Sequence, residues 1–142
     1  MRSPGLLPLR ILFALCFFTI SCHSLTKVSD GHVSRNSLDW SGLYQGIFPC
    51  ADCEGIETIV QLFNNESYEL AQKYLGKDST VFRYEGSFEW DKAGNKIILE
   101  TRNSDTNNLM FQVGENQLTK LDIHGQKIVG ELANNYILKK VN

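Results

Sequence analysis

Cys50 and Cys53 stand three positions apart in the run Phe48-Pro49-Cys50-Ala51-Asp52-Cys53-Glu54-Gly55-Ile56-Glu57-Thr58. Two thiols at this spacing can close a small disulfide, clamp a soft metal ion, or exchange electrons with another protein. If reduced, the pair suits Cu(I), which prefers sulfur and accepts few ligands. Zinc fits less well, because it wants four ligands and the only nitrogen donors are the dispersed His23, His32 and His124. Asp52 and Glu54 put negative charge beside the thiols and oppose thiolate formation, which argues against a redox enzyme. A thioredoxin-like exchanger also carries its pair at a helix N-terminus within a βαβ pattern, and no such pattern is visible. Met110 is a soft donor by type, but on a strand of this kind it reads as packing.

The compartment decides among these chemistries, and the N-terminus speaks to it. Arg2 and Arg10 bring positive charge, and Ile11 to Ile20 is a run of ten residues, apolar but for Thr19. Spanning a bilayer as a helix takes about 20, so the run suits a signal-peptide core instead. It ends at Thr19-Ile20-Ser21-Cys22, which resembles a bacterial lipobox with threonine where leucine is usual. Residues 1–21 are therefore expected to be removed as a lipoprotein signal peptide. Cys22 becomes the lipidated N-terminus, with palmitate the expected acyl group and the membrane its first partner. An ordinary signal peptide cut near Ser21 or Ser24 is the alternative. His23, rather than aspartate, follows Cys22, which points to the outer membrane of a Gram-negative bacterium, with the domain in the periplasm. Cys16 leaves with the signal peptide, so Cys50 and Cys53 remain as an even pair. In an oxidising envelope a disulfide is their default state.

Loss of residues 1–21 takes two of the 14 basic residues, leaving 12 against 16 acidic ones and a net charge of −4. An acidic chain without Lys/Arg clusters gives no electrostatic case for a nucleic-acid partner. There is no Ser/His/Asp spacing, no HExxH and no phosphate-cradling glycine loop, and His124 reads as a solvated turn residue. The sequence reads as that of a non-enzyme. Residues 22–39 are polar and aperiodic and read as a tether, with the domain occupying residues 40–142.

The elements that must position the cysteines are strands. Phe82, Tyr84, Gly86, Phe88 and Trp90 alternate with Val81, Arg83, Glu85, Ser87 and Glu89, the period-two pattern of a half-buried strand. Tyr68, Leu70, Gln72 and Tyr74 share a face, as do Leu109, Phe111 and Val113, and also Ile128, Gly130 and Leu132. Turn-forming residues separate the runs at Asn64-Asn65, Gly76-Lys77-Asp78, Ala93-Gly94-Asn95, Gly114-Glu115-Asn116 and His124-Gly125. No helical stripe is visible. About eight short antiparallel strands predict an all-β fold. An up-and-down, lipocalin-like barrel is the best fit because closure removes exposed edges, and a sandwich is the runner-up. Gly86 is expected to mark a barrel corner. Pro49 suits the end of a strand near Phe48, and the cysteines fall in the loop before a strand starting at Ile56. A barrel of this size has room for side chains or for one small apolar ligand, so a carrier is a second functional reading.

Trp40, Gly42 and Gly46, followed by Pro49 through Thr58, resemble the N-terminal domain of the NlpE family of bacterial lipoproteins. Lys73-Tyr74-Leu75-Gly76, Gly86-Ser87-Phe88-Glu89-Trp90 and Leu118 through Gly125 extend the likeness over nearly all of residues 40–138. The resemblance implies a small lipocalin-like barrel on an outer-membrane lipoprotein. It also implies a role in copper resistance and envelope-stress response, with an envelope stress-sensor protein as partner. Some members carry a second domain, and functions belonging to it are not carried over. The candidate site is Cys50 and Cys53, supported by Pro49, Asp52, Glu54 and Gly55. A thiol-disulfide exchange protein remains the third reading.

Overall fold

The computed structural model describes residues 33–100 and 108–141. The chain divides into Met1–Asp30 and Gly31–Asn142, and the described residues belong to the second unit. The expected signal peptide, Cys22 and most of the expected tether, with His23 and His32, lie outside them.

Eight antiparallel strands close into a barrel in sequence order: β1 Gly42–Phe48, β2 Gly55–Leu62, β3 Ser67–Leu75, β4 Val81–Trp90, β5 Lys96–Leu99, β6 Leu109–Gly114, β7 Gln117–Lys120 and β8 Ile137–Lys140. The expected meander is the observed topology, and β8 seals it by pairing Lys140 with Tyr44 and Lys139 with Gln45. Alternate side chains point inward, as the two-residue repeat requires. Tyr44, Phe48, Val60, Leu62, Tyr68, Leu70, Phe88, Ile97, Leu99, Phe111, Val113, Leu118 and Leu138 form one buried cluster along the axis. Side chains of this cluster thus occupy the barrel axis among the described residues.

β4 changes partner where the sequence placed a corner. Val81 to Ser87 pair with β3, whereas Phe88 to Trp90 pair with β5. Gly86 sits at this change, and a Cβ there would lie 2.8 Å from the Glu100 carbonyl oxygen.

Two segments depart from the sequence expectation. Ser34–Ser37, assigned to the tether, forms one helical turn, α1, that packs on the domain. The Ser34 hydroxyl donates to the Val113 carbonyl at 2.9 Å, and the Arg35 N–H donates to the Gly94 carbonyl at 3.0 Å. The alternation at Ile128, Gly130 and Leu132 is not a strand. Val129 is 87% exposed and Leu132 54% exposed, so no sheet face buries them, and the chain instead runs through a 3-10 turn, Ala133–Tyr136, into β8.

The barrel has two distinct ends. One carries α1 with the β2–β3, β4–β5 and β6–β7 turns, packed by the perpendicular rings of Trp40, Phe88 and Trp90. The other carries the β1–β2 loop, the β3–β4 turn and the connection from β7 to β8.

Candidate disulfide and metal site

The β1–β2 ladder ends at Phe48 paired with Ile56, which leaves residues 49–54 as a loop at the second end. Pro49 follows the last paired residue, where its missing N–H removes no ladder bond. Gly55 re-enters the sheet at φ +156°, and a Cβ there would lie 2.5 Å from Ile47 Cγ2. Only glycine lets the returning chain lie this close to β1. The Glu54 N–H donates to the Leu75 carbonyl at 3.1 Å, so β3 fixes the loop's exit.

Within this frame Cys50 and Cys53 form a disulfide with their Cα atoms 5.3 Å apart. Both cysteines are half-buried, while Ala51, Asp52 and Glu54 are exposed. Asp52 Oδ1 lies 3.5 Å from Cys50 Sγ, and the Gly55 carbonyl oxygen lies 3.3 Å from Cys53 Sγ. These are contacts and not hydrogen bonds, because a disulfide sulfur carries no proton.

Lys77, in the β3–β4 turn, donates to Asp52 Oδ2 and forms an ion pair with it. That hydrogen bond, reinforced by the ammonium's charge, holds the Asp52 carboxyl below its ordinary value. Gly76 makes the approach possible. Its φ is +79°, and the Glu54 side chain fills the space where a Cβ would sit, at 2.9 Å. The sequence showed Asp52 only as a negative charge beside the thiols; the fold shares that charge with Lys77. No spacing rule would have paired residues 25 positions apart. The signal lay in the topology, since a meander puts the β1–β2 loop beside the β3–β4 turn.

Lys120 is a second residue that sequence reasoning passed over. It follows Leu118 on the inward face of β7, and its ammonium lies 5.2 Å from the Phe48 ring centroid and 5.8 Å from that of Tyr136. Burial pushes its pKa below the ordinary lysine value. The same end holds a shallow cavity of about 280 Å³ lined by Tyr74, Lys77, Asp78, Phe82 and Tyr84. A larger groove of about 640 Å³ lies at the opposite end, against Phe63, Tyr68, Glu69, Glu85 and Glu100, away from the cysteines.

Among the described residues, Cys50, Asp52 and Cys53 form a group of potential ligands whose donor atoms all lie within 4.8 Å of one another. His124 is outside this group. It sits in a turn where its backbone N–H donates to Asp122 Oδ1 at 2.9 Å. Met110 is also outside the group, covered by the same turn, with its sulfur 3.5 Å from where a Gly125 Cβ would sit. The disulfide is the state shown; as thiolates the pair could ligate a metal, and as thiols it could be reoxidised by exchange.

The family model of the NlpE N-terminal domain matches residues 44–131. Lipoprotein NlpE of Escherichia coli strain K12 is 27% identical over 96 residues, a match that covers 68% of this chain and 39% of that protein. A crystal structure from Shewanella oneidensis, described as a lipoprotein, aligns with a TM-score of 0.70 at 50% identity, covering 78% of this chain and 96% of that one. The crystal structure of the Cpx pathway activator NlpE from Escherichia coli aligns with a TM-score of 0.52 at 27% identity, covering 63% and 46%. In both comparisons the chain therefore spans less than half the length of Escherichia coli NlpE.

Proposed function

The chain belongs to the NlpE N-terminal domain family, and from that premise we propose that it is a lipid-anchored envelope protein serving copper tolerance and envelope-stress sensing through its Cys50–Cys53 loop. One observation carries this reading: the loop is built around an accessible dithiol-disulfide pair whose geometry the barrel fixes from both sides. In its oxidised form the pair offers no thiolate. Once reduced it offers two, arranged to take Cu(I). The oxidation state of the loop would then decide whether copper is held.

The anchor in this reading is Cys22, exposed by removal of residues 1–21, and the segment that follows tethers the domain. The outer membrane is the proposed location, with the barrel in the periplasm. A single-span membrane helix is not needed, and among the described residues no helix is long and apolar enough to cross a bilayer. The Escherichia coli relative of solved structure is named as an activator of the Cpx pathway. By analogy, an envelope stress-sensor is the proposed partner here. The role is one of binding and signalling, not catalysis.

The test is a Cu(I) titration of the reduced protein beside its Cys50→Ser and Cys53→Ser variants. Tight binding by the parent, lost in both variants, is the expected result. Equal and weak binding by all three proteins would overturn the copper reading. Thiol trapping of protein taken directly from the envelope reports which form the cell maintains.

A further inference from the structure

The geometry points to Asp52 as the third ligand of a mixed sulfur–oxygen site that, once Cys50–Cys53 is reduced, takes a divalent borderline cation of the zinc class, with Lys77 as the competing occupant of the carboxylate. This rests on the preceding reading that the reduced pair is a metal site.

Three features of the loop carry it. Cys50 Sγ, Cys53 Sγ and an Asp52 carboxylate oxygen already lie within 4.8 Å of one another in the oxidised form. The two Asp52 oxygens are divided between partners: Oδ2 binds Lys77, while Oδ1 lies 3.5 Å from a sulfur that has no proton to give. A cation between that oxygen and two thiolates would replace a contact of no bonding value with a coordinate bond. Lys77 reaches Asp52 from another turn, and the pair is exposed, with side chains 44% and 71% accessible. An exposed ion pair contributes little, so it yields to a metal at small cost.

The donor set then argues selectivity. Two soft thiolates alone satisfy Cu(I), whereas two thiolates with one hard carboxylate and a water match borderline divalent ions of tetrahedral habit. Opening the site takes two electrons. A dithiol reductant supplies them and closes to its own disulfide, while Cys50 and Cys53 each take up a proton. On binding, the two thiols release those protons to solvent and the cation bonds to both sulfurs.

Co²⁺ added to the phosphine-reduced protein under nitrogen is the probe, read by its thiolate-to-metal absorption. Asp52→Asn should weaken Co²⁺ binding, because it removes the one hard ligand, and leave Cu(I) affinity unchanged. Lys77→Met should tighten Co²⁺ by roughly twofold to fivefold, the span of an exposed ion pair. Absence of the thiolate band in the parent, or equal Co²⁺ affinity in Asp52→Asn, overturns the site. An unchanged Lys77→Met overturns the competition. These outcomes are separate from the copper reading, which fails only if the cysteine variants bind Cu(I) as the parent does.

Discussion

Gly55 and Tyr44 each set a limit that a single substitution can expose. Gly55→Ala adds a methyl where Ile47 Cγ2 stands 2.5 Å away, on a backbone at φ +156°. Strain of this kind costs about 1–3 kcal/mol, so the urea midpoint should fall with no change in slope. Tyr44 is buried in the core and donates to the Trp40 carbonyl at 2.7 Å. Burial, with a smaller contribution from Asp39, pushes its pKa up to about 12. The folded value lies above the unfolded value of 10.0, so this stability is fully present below pH 10 and is lost as pH rises toward 12. Tyr44→Phe should blunt the alkaline loss in melts taken between those limits, at a cost of about 1 kcal/mol at neutral pH for the lost hydrogen bond. Reduction of Cys50–Cys53 should be mild by comparison. A four-residue ring removes little chain entropy, about 2 kcal/mol, so the reduced barrel should remain folded in a thermal melt.

Among the elements, α1 shows what polar sequence can conceal. Ser34–Ser37 has no apolar period, yet Ser34 is buried and its hydroxyl reaches the Val113 carbonyl and Asn95 Oδ1, while Arg35 pairs with Glu66 at 2.7 Å. Ser34→Ala should cost about 1–3 kcal/mol by stranding buried partners, measured as a lower melting temperature. The strands were legible because a two-residue repeat records which face is buried, as Phe88, Ile97, Leu99, Phe111 and Val113 show. Long-range hydrogen bonds leave no such record, so nothing local in the sequence marks Ser34–Ser37 as packed on the barrel. Ile128 to Leu132 failed in the opposite way: the repeat was there, but no neighbouring strand gave it a face to bury. The same division runs through the site. Cys50, Cys53 and Gly55 were readable from local spacing, whereas Lys77 and Lys120 needed the register of the closed sheet.

For the whole molecule, closure in sequence order makes the fold almost entirely a set of neighbouring hairpins, with β1 and β8 as the long-range seam. That seam is short, two paired residues extended by the Val141 N–H donating to the Leu43 carbonyl at 2.8 Å. Lys140 adds an ion pair to Asp39 at 2.9 Å across it. Amide exchange should therefore be fastest, among the barrel strands, in β8. Protection in β8 equal to that in β2 and β3 would contradict this.

The chain enters the barrel at α1, beside Gly94, and the disulfide loop stands at the other end. β3, whose nine residues run between these ends, sets them about 27 Å apart along the strand. Chain entry and disulfide loop thus occupy opposite poles of the barrel, so a macromolecule engaging the loop would leave the α1 pole uncovered.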